Sequence, residues 1–257
     1  MNRSDAFRTA ILRTPGPNCG DGLTTAGLGA PDYHLLLRQH QAYARLLAAA
    51  GLEVVSLPPE SAYPDAYFVE DPAVVTPEVA IITRPGALSR RGEEESLAPV
   101  LARYKPLARI EPPGTVEGGD VLEAGGRWFI GVSERTNEDG ARQLGRILES
   151  RGHPWTLVPV AAGLHLKSSV NDLGDGMIIV TAELEAQEPF RAFRRLIPAP
   201  EEAYAANALR VNGRIILAAG FPSVRRQLDQ WGLPVLEIEV SEVRKMDGGL
   251  TCMSLRF

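Results

Sequence analysis

Apolar residues along this chain fall in short runs divided by turn residues, and between the runs lie longer stretches with helical spacing. Residues 7–12 read as a first strand, stopped by Thr14-Pro15-Gly16-Pro17. Pro31 suits the first turn of a helix whose Leu36, His40, Tyr43 and Leu47 share one face. Gly51 ends that helix, and residues 53–57 form a strand closed by Pro58-Pro59.

The pattern then repeats. Residues 73–75 and 79–82 make a hairpin around Pro77-Glu78, followed by a helix through Leu97, Leu101 and Tyr104 and a strand at 108–110. A second hairpin turns at Gly125-Gly126, with a helix carrying Leu144, Ile147 and Leu148 and a strand at 155–158. Residues 177–180 form a strand after Gly174-Asp175-Gly176, with a less clear helix behind it. Asn212-Gly213 is the strongest short-range hairpin signal, because both residues tolerate the positive φ of a tight turn. A helix from Pro222 and a strand at 235–240 follow, and a last hairpin is expected at Asp247-Gly248-Gly249. Turns near 78, 125, 175, 213 and 248 imply a module of two strands, a helix and a strand, used about five times. An ordinary α/β domain shares the strand–helix alternation but not the regularly interposed hairpins. A single domain over residues 1–257 is expected.

Composition narrows the class. With 44% hydrophobic and 23% charged residues the chain reads as globular. A net charge of −5 without a basic stripe argues against nucleic acid. No run approaches a membrane span, and residues 1–7 lack the apolar core of a signal peptide. The two cysteines make no disulfide framework and suit a reducing cytoplasm.

Cys252 follows the Asp-Gly-Gly bend on a strand-like run. Free cysteines are more often small buried hydrophobes, yet a thiol just past such a bend can also be a nucleophile. Cys19 lies in the unpatterned 18–29 segment, a long surface loop expected to be mobile, and reads as an incidental exposed thiol. Among the four histidines, His165 stands out, because alternation places it with Lys167 on one strand face. No His or Cys pair has zinc-ligand spacing. Asp65, Glu70 and Asp71 lie on a segment that otherwise reads as a buried strand, and Glu117 and Asp120 flank Gly118-Gly119. These acids are either turn and cap residues or the lining of a pocket for a guanidinium-like cation. Arg90 and Arg135 suit the anionic end of such a ligand, though each alone reads as a surface arginine.

Taken in order, these pieces join Asp21-Gly22-Leu23-Thr24, Phe68-Val69-Glu70-Asp71-Pro72, residues 83–87, Ser89-Arg90-Arg91, residues 113–120 and Glu134-Arg135-Thr136-Asn137. Leu164-His165-Leu166-Lys167, Tyr204-Ala205-Ala206-Asn207 and residues 244–257 complete the set, which spans nearly the whole chain. It resembles the dimethylarginine dimethylaminohydrolases of the guanidine-modifying, or pentein, superfamily. The resemblance implies a five-bladed α/β propeller of ββαβ modules with an active site at the pseudo-axis. It implies hydrolysis of Nω-methylated arginines to citrulline, with Cys252 as nucleophile, His165 as acid and base, and Glu117 orienting His165. Asp71 would pair with the guanidinium. Asp65, Glu70, Arg90, Arg135 and the backbone of Leu23 would hold the amino acid end or complete the pocket. No cofactor or metal is implied, and a homodimer is compatible with it. Arginine deiminases of the same superfamily typically carry His-x-Asp where this chain has His165-Leu166-Lys167, so an arginine deiminase-like or other guanidino hydrolase is the alternative.

Overall fold

Strand β1 (Thr9–Arg13) leads into helix α1 (Tyr33–Ala49), and β2 (Glu53–Leu57) returns parallel to β1. The Asp32 side chain caps α1 by accepting the Leu35 N–H, which leaves Pro31 outside the first turn where it was expected. Gly51, at φ 96°, ends the helix in the left-handed conformation that favours glycine. The structure is a computed structural model and describes residues 6–161 and 163–257. Residues 1–5, part of the segment read against a signal peptide, lie outside the described residues.

The next modules each begin with an antiparallel pair. Strands β3 (Ala73–Val75) and β4 (Ala80–Ile82) are followed by α2 (Glu93–Leu101) and β5 (Leu107–Arg109). Strands β6 (Val121–Ala124) and β7 (Arg127–Val132) precede α3 (Glu138–Glu149) and β8 (Trp155–Pro159). A single helical turn, α4 (Leu166–Ser169), leads into β9 (Val170–Gly174) and β10 (Met177–Val180), then α5 (Ala182–Glu185) and β11 (Arg194–Leu196). Strands β12 (Leu209–Val211) and β13 (Arg214–Ala218) pair across Asn212, at φ 46°, ahead of α6 (Pro222–Gln230) and β14 (Val235–Ile238). Helix α7 (Ser241–Arg244) and β15 (Leu255–Arg256) complete the chain.

Among the described residues the strands form five three-stranded sheets, as a five-bladed α/β propeller of ββαβ modules requires. In each sheet the middle strand is deeply buried, while the outer, parallel strand is the most exposed. Strand β1 is buried at all five positions, whereas β2 has no buried residue. The antiparallel edges of the sheets meet one another, β6 and β12 against β9 and β15 against β3. Of the outer strands only β11, which begins with the exposed Arg194, gives no strand signal in the sequence.

Three expectations fail locally. No hairpin forms at residues 247–249; β15 instead pairs antiparallel with β1, so the fifth sheet takes strands from both ends of the chain. Pairing covers the edge of β1, which would otherwise present unpaired backbone groups. Residues 65–72 are buried but run as successive turns rather than a strand. Residues 166–169 form α4 rather than a strand, because the buried Asp120 carboxylate accepts the Leu166 N–H at 2.9 Å and Ser168 N–H bonds back to His165. Among the described residues no helix is long and apolar enough to cross a membrane.

Candidate active site

Three loops meet at the inner ends of the sheets, and glycines let them. Gly118 donates its N–H to the Asp71 carbonyl at 2.9 Å, and Gly119 donates to Asp71 Oδ1 at 3.0 Å. A Cβ on Gly119 would lie 2.6 Å from His165 Nδ1, inside any tolerable contact. The Gly pair therefore brings the 65–72 turns, the 117–120 turn and His165 together. Gly248 and Gly249 act likewise: a side chain there would overlap the Phe68 ring and the Asn207 amide. The positive φ of that bend falls on Asp247, at 56°.

His165 Nε2 lies 2.7 Å from Glu117 Oε2, and Asp71 Oδ1 is 3.9 Å away. Glu117 is wholly buried; its other oxygen accepts the Ala87 N–H at 3.1 Å and lies 3.7 Å from Arg135. Burial alone would drive the imidazole neutral. The Asp71 charge, the Glu117 hydrogen bond and Asp120 outweigh it and hold the His165 pKa up at about 9. Burial likewise opposes ionisation of Asp71, but His165 and Arg90 hold it down at about 2.

Asp65 accepts the Leu23 N–H on both oxygens, at 3.1 and 3.2 Å, fastening the 18–29 loop to the site. Thr25 N–H and Oγ1 both donate to Asp247 Oδ2, and Thr24 Oγ1 donates to the Lys245 carbonyl. Cys19, expected to be exposed in this loop, is 1% exposed and packs into the core, and burial raises its thiol pKa.

Cys252 is partly exposed, and its carbonyl accepts the Glu70 N–H at 3.2 Å. Burial of the thiol, reinforced by the Glu70 and Asp71 charges, pushes its pKa up to about 12. A cavity of about 140 Å³ is lined by Cys252, His165, Glu117, Asp71, Asp65, Arg90, Arg135 and Leu23. Phe68 adds an apolar wall. Of the nine residues singled out in sequence, only Glu70 is not part of the lining; it lies behind it, ion-paired to Lys167 at 2.6 Å and Arg256 at 3.4 Å.

The two arginines differ. Arg90 is buried, pairs with Asp71 and Glu93, and donates to the Asp65 and Phe68 carbonyls. Its fork is engaged in holding Asp71 and the 65–68 turn. Arg135 is more open, and among the described residues it has only the long Glu117 contact as an ion pair. Asp71, Glu117 and His165 have potential ligand atoms within 4.8 Å of one another. Those atoms are already bonded to one another, to Arg90 and to backbone N–H groups, and a protonated imidazole offers no lone pair. An imidazole hydrogen-bonded to a buried carboxylate can exchange a proton, and the carboxylates offer acceptors to a donor-rich cation.

The sequence placed Asp120 among the acids of a cap or a pocket, and gave no role to Asn207 or Thr251. Asp120 holds the Leu166 N–H and the Ser133 hydroxyl, which sets the His165 loop. Asn207 spans two loops, donating to the Lys167 carbonyl and accepting the Thr251 N–H. A polar side chain set among apolar neighbours is the signal that marks both.

No protein-family model matches the chain. It is 44% identical to N(G),N(G)-dimethylarginine dimethylaminohydrolase of Pseudomonas aeruginosa, over 98% of this chain and 100% of that protein. The enzyme of the same name from Streptomyces coelicolor is 37% identical over 97% of this chain and 96% of that one. A solved structure of a cysteine-to-serine variant of the P. aeruginosa enzyme, complexed with citrulline, superposes with a TM-score of 0.96 at 44% identity, covering 98% of this chain and 100% of that one. The chain belongs to the dimethylarginine dimethylaminohydrolase family of the pentein superfamily.

Proposed function

We propose that this chain, acting as one catalytic domain, hydrolyses Nω,Nω-dimethyl-L-arginine and the monomethyl form to L-citrulline and dimethylamine or methylamine. The observation that carries the reading is the His165–Glu117 pair in the cavity that Cys252 lines. A guanidinium carbon is a poor electrophile, because its charge is spread over three nitrogens. Dividing the hydrolysis into two covalent steps eases it.

Substrate binds with its guanidinium against Asp71, and its positive charge offsets the carboxylates that raise the Cys252 pKa. The thiol loses its proton to solvent water, and Sγ attacks the guanidinium carbon. His165, protonated at rest, gives its proton to the departing amine, leaving a thiouronium adduct. The neutral imidazole then takes a proton from water, which adds to the same carbon. Collapse of the tetrahedral adduct expels Sγ as a thiolate and the hydroxyl proton passes to that sulfur, which releases citrulline and restores the thiol with His165 again protonated. Glu117 fixes the imidazole and stabilises its charge. Arg135, with Asp65 and the backbone at Leu23, holds the amino acid end, while Arg90 holds Asp71 in place. A reducing cytoplasm suits a free thiol nucleophile.

Methylated substrate is favoured over arginine by Lys167, which stands where arginine deiminases carry a second acid. It is tied to Glu70 at 2.6 Å and does not line the cavity, so Asp71 is the carboxylate left to grip the guanidinium. The test is Cys252→Ser: turnover is expected to vanish while substrate still binds, and undiminished turnover would remove Cys252 as nucleophile.

A further inference from the structure

Thr251, next to Cys252 in the chain, has every polar atom assigned. Its N–H donates to Asn207 Oδ1 at 3.0 Å, and its carbonyl accepts Arg256 Nη1 at 3.1 Å. Its hydroxyl donates to Glu70 Oε2 at 2.8 Å and accepts from Asn207 Nδ2 at 3.2 Å. A hydroxyl has one proton and two lone pairs. With the proton given to a carboxylate and one lone pair to an amide, Thr251 has only a lone pair left to face Cys252 Sγ, 4.0 Å away, at the long end of the thiol hydrogen-bond range. Toward that oxygen the sulfur can only donate. A thiolate there would meet a lone pair.

Glu70 cannot turn to release the hydroxyl. Its Oε1 is claimed by Lys167 at 2.6 Å and Arg256 at 3.4 Å, and the side chain is 3% exposed. The other charged groups acting on Sγ are Asp71 from the same turn segment and Lys167 from α4, and His165, Glu117, Asp65, Asp247, Arg90 and Arg135 line the same cavity. The phenols of Tyr43, Tyr67 and Tyr204 are held above their ordinary pKa by burial, so they are uncharged.

We propose that Glu70, Asn207 and Thr251 form a hydroxyl relay that turns only a lone pair toward Cys252 Sγ, so that these three residues, beyond burial and nearby charge, set how readily the thiol ionises in the free enzyme. Glu70 and Thr251 are then positioning residues, not substrate ligands. The proposal rests on the reading of Cys252 as nucleophile.

Glu70→Gln reverses the relay. Lys167 and Arg256 only donate, so the carboxamide oxygen must stay with them and the NH₂ takes the place of Oε2. That NH₂ donates to Thr251 Oγ1 and frees the hydroxyl proton to point at Sγ. The measurement is the pH dependence of iodoacetamide labelling of Cys252 in the substrate-free protein, located by peptide mass. Glu70→Gln is expected to lower the inflection by about one pH unit or more, raising labelling near neutrality about tenfold. Loss of a negative charge alone would also lower it, so the substitution is repeated in a Thr251→Val background. There the relay predicts a much smaller shift; an equal shift in both backgrounds overturns the relay. Thr251→Ser, which keeps the hydroxyl, is expected to label as the wild type does. Thr251→Val alone removes the acceptor of the S–H bond and should move the inflection down; an unmoved inflection overturns the relay even where Glu70→Gln fails to fold. None of these outcomes depends on turnover, so failure of the nucleophile reading, seen as an active Cys252→Ser, remains a separate result.

Discussion

His165 Nε2 sits 2.7 Å from Glu117 Oε2, and that carboxylate has no exposed surface. Burying the carboxylate would be costly on its own; the pairing reverses the balance by giving it an imidazolium, a backbone N–H and a more distant guanidinium. Because the His165 pKa is raised to about 9, its proton is in place at neutral pH and is lost as the pH rises through that value. The rate of amine departure should therefore fall on the alkaline side near pH 9. In Glu117→Gln the fall should move to lower pH, with kcat down by about 10² to 10⁴ and a smaller change in KM. A pH profile of kcat decides it: an unmoved alkaline limb would separate Glu117 from the proton on His165.

Gly119 is a spatial requirement rather than a turn. In Gly119→Ala the new methyl would displace the imidazole or the Asp71 carboxylate. Displacements near 1 Å cost about 100-fold in rate. Steady-state kinetics, with circular dichroism to establish a retained fold, should show that loss, and full activity would mean that the His165 ring has room to move.

The 18–29 loop is fastened to the rim of the cavity by Thr25 and Asp247. Asp247→Gly keeps the left-handed backbone at that position and removes the acceptor. Faster amide hydrogen exchange at residues 23–26 and a several-fold higher KM are expected, with kcat little changed. Unaltered exchange would show that the latch does not hold the loop.

His40 lies on the buried face of α1 at 3% exposure, and its Nε2 has no hydrogen-bond partner among the described residues. Burial pushes its pKa down to about 4, below the unfolded value of about 6.5. Its neutral burial therefore contributes stability that is intact above about pH 6.5 and is lost progressively as the pH falls through about 4. Thermal unfolding from neutral pH down to about pH 4 should cost the wild type more than His40→Leu. Parallel curves would show that the imidazole is solvated when charged.

The modules were legible because their middle strands are continuous apolar runs, as at residues 79–82 and 177–180, and turn residues bracket them. The outer strand β11 was not, since residues 194–196 begin with two arginines and carry no alternation. Nor was the closure of the ring: nothing local to residues 247–257 says that β15 pairs with β1, a contact across nearly the whole chain. Eight of the nine site residues met in one cavity because the family motifs that carry them sit on loops at the inner ends of the sheets. Glu70 lies off the cavity lining, where Lys167, Arg256 and the Thr251 hydroxyl engage both of its oxygens, contacts that no local pattern in the sequence announces. The extended reading of residues 164–169 failed for a similar reason, a buried acid at 120 drawing the backbone into a turn.

Substrate choice is settled most directly by a parallel comparison. The protein is incubated in parallel with Nω,Nω-dimethyl-L-arginine, L-arginine and agmatine, and the ureido product is assayed with the released amine. Citrulline and dimethylamine from the methylated substrate, at rates well above those with arginine or agmatine, are predicted. Turnover of unmethylated arginine alone would contradict it.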